Sequence, residues 1–159
     1  MGRQQDLALE GFVNSPPLPP VADLIPHRGN FLLIDRLVAL EPNRVEALAN
    51  FSALQVEGHY PGHPVVPGVL LLEGLAQTLC CGCVGLGVVP DGHPYLAGLD
   101  KVRFRAPVVP PAEVRFVVNI LPQRLGIYRA EGEVWLGDKC VASASLSATI
   151  VPGDSEATQ

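Results

Sequence analysis

Charge is what this chain has least of. Asp, Glu, Lys and Arg together make 17% of its 159 residues, and sixteen acidic against eleven basic side chains leave a net charge of -5. Without a basic surplus, a nucleic-acid role gets no electrostatic support. A polar excess is missing as well, and 48% apolar residues exclude intrinsic disorder of the whole chain. So few charges on one small domain leave contiguous apolar surface, which points to cover by another subunit. No basic-then-apolar leader stands between Met1 and Leu7, so the expected compartment is the cytoplasm, with the four cysteines reduced. A chain of this length buries roughly 70% of its unfolded surface and needs neither disulfide nor structural metal to fold. Internal repeats are absent too.

What is present divides into three parts. Ser15-Pro16-Pro17-Leu18-Pro19-Pro20 lacks backbone donors and holds an extended course, so residues 1–20 are expected to form a flexible arm. One domain is expected over residues 21–151, and a small polar flexible tail over 152–159. Within the domain, Val69 to Val89 is almost wholly apolar, with Glu73, Gln77 and Thr78 as its clearly polar side chains. The length invites a membrane-spanning reading, but a carboxylate, an amide and four glycines interrupt it and no Lys or Arg flanks it. A helix apolar on all sides is more simply one buried at the centre of a domain.

Strand-like segments surround this helix. Tyr95–Phe104, Val114–Leu121, Ile127–Leu136 and Cys140–Ile150 are rich in β-formers and separated by Pro, Gly and Asp, and Arg44–Phe51 is a further candidate. From Cys140 to Ile150 apolar residues alternate with mostly polar ones at period two, the mark of a half-buried strand. Short connections favour hairpins, so the expected class is α+β: an antiparallel sheet of about six strands wrapped around one long buried helix.

Chemistry concentrates in Gly58-His59-Tyr60-Pro61-Gly62-His63-Pro64-Val65-Val66-Pro67-Gly68, which runs straight into the helix. Three prolines and three glycines make a rigid, irregular backbone able to hold an imidazole still. Histidine can take and return a proton near neutrality. Glu73 stands five residues into an otherwise apolar helix, where an unpaired carboxylate costs several kcal/mol, and Gln77 follows it at i+4 on the same face. His59 and Glu73 thus form a candidate acid/base pair with Gln77 orienting the acid; the open alternative is a Glu73 that reaches solvent or a partner subunit. The first-turn N–H groups of Gly68 and Val69 lack helical acceptors and offer a donor site for an oxygen gaining negative charge.

Other signals carry less. Cys80, Cys81 and Cys83 do not have zinc-site spacing and read as small hydrophobes of a buried helix. His59 and His63 sit at i, i+4, but Pro61, Gly62 and Pro64 prevent a helix, so no metal site is expected. His27-Arg28 reads as a structural brace or a partner contact. Lys101, Arg103 and Arg105 alternate along a strand and place three cations on one face, either solvated or a docking patch for an acidic partner.

Three blocks together resemble the bacterial β-hydroxyacyl-acyl-carrier-protein dehydratases, in their non-isomerising branch. They are Leu24-Ile25-Pro26-His27-Arg28 with its apolar run to Asp35-Arg36, the stretch from Gly58 to Gln77, and Gly98-Leu99-Asp100-Lys101-Val102-Arg103-Phe104-Arg105-Ala106-Pro107-Val108-Val109-Pro110. Tyr60 stands where that family usually has Phe, and Leu54-Gln55-Val56-Glu57 where it has an aromatic pair. The resemblance implies a hotdog fold and dehydration of a 3-hydroxyacyl thioester to the trans-2-enoyl product, in fatty-acid or related polyene or secondary lipid synthesis. It implies His59 as catalytic base, Glu73 as acidic partner, Gly68 as the N–H donor to the thioester carbonyl, and neighbouring Val69 and Gln77 at the substrate. The isomerising branch carries Asp where Glu73 stands. No cofactor and no metal are implied. The implied partners are an acyl carrier protein bearing the phosphopantetheine-linked substrate and a second subunit. The assembly expected is a homodimer or a higher assembly of dimers, or a heterodimer with a homologue, with each site shared between chains; no nucleic acid or membrane partner is expected. The alternatives on this fold are a thioesterase and a non-catalytic acyl-binding subunit.

Overall fold

The computed structural model describes residues 17–89 and 93–151, so most of the expected arm and all of the expected tail lie outside the described residues. The chain folds as six antiparallel strands around one long helix. After a short helix α1 (Val21–Leu24) come β1 (Arg36–Glu41) and β2 (Arg44–Phe51), then the long helix α2 (Gly68–Gly85), then β3 (His93–Phe104), β4 (Ala112–Arg124), β5 (Ile127–Leu136) and β6 (Lys139–Val151). The strand order is β1-β2-β4-β5-β6-β3, which leaves β1 and β3 as the two edges. Helix α2 touches all six strands.

The helix is buried on most sides because its sequence is apolar on most sides. Leu71, Leu75 and Leu79 pack into the same core as Val45, Phe116, Val134 and Leu146. Glycines bring it close to the sheet: a methyl group at Gly74 would overlap the ring of Phe116, and one at Gly82 would overlap Val45. Buried Thr78 returns its hydroxyl to the Gly74 carbonyl at 2.7 Å, so its polarity is satisfied within the helix.

The helix ends at Gly85, four residues before the apolar run does. Gly87 takes a left-handed conformation (φ 65°). The Gly87 N–H bonds to the Val84 carbonyl at 2.9 Å and the Val88 N–H to the Cys83 carbonyl at 3.1 Å. This pattern of capping bonds closes a helix and needs the positive φ that glycine supplies. Tyr128 Oη then donates to the Val88 carbonyl at 2.9 Å and pins the exit to β5.

In β6 the expected alternation runs from Ala142 to Ala148, with Ala142, Ala144, Leu146 and Ala148 inside. Cys140 breaks it, because a register shift opposite Val134 and Trp135 turns Val141 inward instead.

Candidate active site

Glu73 opens into a cleft of about 490 Å³. On α2 the spacing i, i+3, i+4, i+7 puts Glu73, Ala76, Gln77 and Cys80 on one face, and all four line the cleft. Ile25, Pro26, His27 and Phe31 form the wall that precedes β1, and Pro94, Tyr95 and Leu96 of edge strand β3 form the other. The side chain of Glu73 is 25% exposed and that of His27 26%, so each is reachable from the cleft.

Gln77 is only 1% exposed and fully engaged as a donor. Its Nε2 donates to the Phe31 carbonyl at 2.8 Å and to Glu73 Oε1 at 2.9 Å, while its Oε1 accepts from the Leu33 N–H at 3.0 Å. Both amide hydrogens are therefore engaged inside the chain, while Gln77 also borders the cleft. It orients Glu73. In doing so it stitches the helix to the segment before β1.

His27 reaches the same carboxylate oxygen: its Nε2 lies 3.4 Å from Glu73 Oε1, and its ring stacks on Phe31 at 6.0 Å between centroids. Arg28 holds this segment from behind by donating to the carbonyls of Ile25 (2.7 Å), His27 (2.6 Å) and Ala22 (2.8 Å). From sequence alone His27 reads as a brace or a partner contact. Its proximity to Glu73 depends on a fold contact spanning 46 residues, which no local pattern announces.

His59 sits elsewhere in the chain, on the loop into α2. The loop bends through left-handed residues Tyr60 and Gly62 (φ 56° and 83°), and the His59 N–H bonds to the Val56 carbonyl at 2.8 Å. Nδ1 of His59 is 2.9 Å from the Val65 carbonyl. A carbonyl can only accept, so Nδ1 carries the hydrogen, and in the neutral ring Nε2 keeps its lone pair. That is the tautomer of a base, held in place by the backbone it grows from. His63 turns away and bonds to its neighbour, the Gly62 carbonyl, at 2.6 Å.

The start of α2 faces a second cleft, of about 480 Å³, lined by Val65, Gly68, Val69 and the turn from Phe104 to Val108. Pro67 caps the helix without a side-chain bond, and among the described residues the N–H groups of Gly68 and Val69 have no partner. Gly68 lets the Phe104 ring lie against the helix start, where a Cβ would meet it at 2.7 Å and push the ring aside. Val69 is 68% exposed at the rim of this cleft. The two clefts share no residue: Glu73 belongs to one, and Gly68, Val69 and the carbonyl that holds His59 belong to the other.

Lys101, Arg103 and Arg105 all border one depression on the outer face of the sheet, but not by simple alternation. A bulge between Asp100 and Arg103 intervenes, Lys101 has φ 50°, and β3 ends at Phe104. Glu131 and Glu133 border the same depression, so the surface is mixed in sign.

Cys80, Cys81 and Cys83 are buried free thiols of α2. Burial pushes Cys80 and Cys81 up to about 12 and Cys83 to about 11, with neighbouring Cys83 and Glu73 adding to the effect on Cys80.

Residues 25–145 match the FabA-like domain. Among characterised sequences, the chain is 40% identical over 132 residues to the 3-hydroxyacyl-[acyl-carrier-protein] dehydratase FabZ of Symbiobacterium thermophilum, covering 81% of this chain and 93% of that one. It is 39% identical over 137 residues to the FabZ of Syntrophobacter fumaroxidans, covering 83% and 92%. Among solved structures, the dehydratase heterocomplex ApeI:P from Xenorhabdus doucetiae superposes with a TM-score of 0.73 at 19% identity, over 87% of this chain and 94% of that one. The fold is therefore the hotdog fold, and with the match running from before β1 into β6 and including the helix that carries Glu73, the chain belongs to the FabA-like family.

Proposed function

We infer that this chain is a 3-hydroxyacyl-acyl-carrier-protein dehydratase, a hydro-lyase of fatty-acid synthesis that works in the cytoplasm as a dimer with composite sites. The observation that carries the composite reading is the separation of the two clefts. The helix N-terminus and Val65, whose carbonyl holds the His59 imidazole, border one cleft, and the Glu73 carboxyl borders the other; among the described residues the first-turn N–H groups and Glu73 Oε2 have no partner. A two-fold axis that brings one chain's Glu73 cleft against its partner's His59 loop makes two complete sites per dimer. The exposed edge of β3 and exposed Val69, Tyr95 and Leu96 supply apolar, unpaired surface for such an interface, for which about 2,000 Å² or more is the expected order.

Within the composite site the thioester carbonyl takes the N–H of Gly68, and that of Val69 lies beside it. Charge developing on the oxygen as C2 loses its proton is then stabilised by donors and by the positive end of α2. His59 Nε2 removes the C2 proton, and the imidazolium that forms keeps its Nδ1–H on the Val65 carbonyl. The C2–H electron pair becomes the C2–C3 double bond as the C3–O bond breaks. Glu73 gives its proton to the departing hydroxyl, which leaves as water, and solvent exchange returns the proton from His59 to Glu73. Every bond broken and formed is accounted for without a cofactor. Lys101, Arg103 and Arg105 form the cationic side of the depression where an acidic carrier protein docks.

The test is incubation of the purified protein with a 3-hydroxyacyl carrier protein, followed by mass spectrometry. Loss of one water supports dehydration. Loss of the acyl group means a thioesterase, and an unchanged mass means a binding subunit.

A further inference from the structure

The contacts of Glu73 distinguish its two oxygens. Oε1 takes the Gln77 Nε2–H at 2.9 Å and faces His27 Nε2 at 3.4 Å. Among the described residues no side chain or backbone group bonds Oε2. His27 is constrained in turn, because its Nδ1 is buried without a hydrogen-bond partner. An imidazolium would place a second N–H at that buried position with no acceptor, which costs the full desolvation of a donor. The neutral tautomer with hydrogen on Nε2 leaves only a lone pair there and keeps that N–H within 3.4 Å of Glu73 Oε1.

We propose that His27 is a positioning residue of the dehydration: its neutral Nε2–H, together with Gln77, occupies Glu73 Oε1, so that the transferable proton is carried on Oε2. The proposal rests on the dehydratase reading above and specifies which atom of the acid acts. A proton on Oε1 would meet the Gln77 N–H at 2.9 Å and crowd the His27 N–H at 3.4 Å, whereas among the described residues Oε2 is open for the proton and the leaving hydroxyl. Rigidity comes from the surroundings. Phe31 stacks on the imidazole and gives its carbonyl to Gln77, and Arg28 ties down the carbonyls of Ala22, Ile25 and His27. One segment before β1 thus holds both donors against one oxygen.

The test compares His27→Phe, which keeps a ring to stack on Phe31 but has no donor, with His27→Gln, whose Nε2 can donate from a similar reach. Each is made in the wild-type and Glu73→Gln backgrounds, with folding followed by thermal melting. The expected result is a fall in kcat on the order of 10- to 100-fold for His27→Phe with KM nearly unchanged, and recovery to within a few-fold for His27→Gln. In the Glu73→Gln background His27→Phe should cause no further loss, because it acts only through the carboxyl. Wild-type kcat in His27→Phe overturns the proposal; so do equal losses in the Phe and Gln variants, or full losses that multiply in the double variant. A wild-type protein that leaves the hydroxyacyl substrate intact overturns the dehydratase reading itself, and this inference with it.

Discussion

Separate clefts for Glu73 and for the His59 loop make a quantitative prediction about mixed dimers. The two lesions are chosen to keep the fold: His59→Asn retains a side-chain N–H for the Val65 carbonyl, and Glu73→Gln retains a carbonyl oxygen for the Gln77 amide. Each homodimer should be slower than wild type by on the order of 10² to 10⁴, the usual range for losing one proton-transfer group. When the two are mixed in equal amounts and subunits exchange freely, about half of the dimers are mixed. If each site takes its base from one chain and its acid from the other, a mixed dimer has one site with both lesions and one with neither. Half of the dimers with half of their sites intact gives about a quarter of wild-type activity, well above either parent. If instead both residues of a site came from one chain, every site in the mixture would carry a lesion and nothing would return. The assay is initial-rate dehydration before and after exchange, with mixed dimers verified by differently tagged chains. No recovery in verified mixed dimers refutes the composite site, as does an active monomer in the ultracentrifuge.

Other outcomes follow from single features. Gly74→Ala places a methyl group in the ring of Phe116 and should lower stability by about 1–3 kcal/mol, read as a lower denaturant midpoint; an unchanged midpoint would show that the helix can shift away. Gln77→Leu removes the partners of two backbone groups, the Phe31 carbonyl and the buried Leu33 N–H, and should cost about 1–3 kcal/mol for each group left unpaired, besides slowing dehydration through a loose Glu73. Folded Cys80, Cys81 and Cys83 hold their protons well above the ordinary value of 9.0 while an unfolded chain releases them. The native state then binds more protons, so stability should fall as pH rises from about 9 towards 12, and Cys81→Ala should flatten that slope in denaturation curves taken across the range. Replacing Lys101, Arg103 and Arg105 together by Ala should raise KM for the carrier-bound substrate and leave the rate on a small pantetheine thioester unaltered; an equal effect on both would remove the docking role.

The parts of the molecule that sequence makes legible are those in which local pattern and tertiary demand coincide. Arg44–Phe51 and Ile127–Leu136 have the bounds their residues suggest, because alternation, β-formers and turn residues agree there. Strand β1 was not anticipated: Arg36-Leu37-Val38-Ala39-Leu40-Glu41 lies at a sheet edge with a bulge between Leu37 and Ala39, so its burial does not alternate cleanly. The apolar run continues through Leu86, Val88 and Val89 and hides the helix end, whereas the capping bonds around Gly87 fix the true stop. For the site, the Pro/Gly framework announces that His59 is held and the lone carboxylate announces Glu73. The proton position on His59 depends on a carbonyl six residues ahead, and the engagement of Gln77 on backbone groups over forty residues away. Those relations exist only once the segment before β1 lies on α2.

Cys80 gives the Glu73 cleft a chemical hazard and its remedy. A 2-enoyl thioester is an electrophile at C3, and this chain would make it in a cleft lined by a thiol. Conjugate addition needs the thiolate. Burial, with neighbouring Cys83 and Glu73 adding to it, pushes the Cys80 thiol up to about 12, so that the anion is scarce near neutral pH. The enzyme is thereby protected from alkylation by its own product without excluding sulfur from the cleft. A small, soft side chain can shape the space for an acyl chain there, so long as the protein around it stays dry.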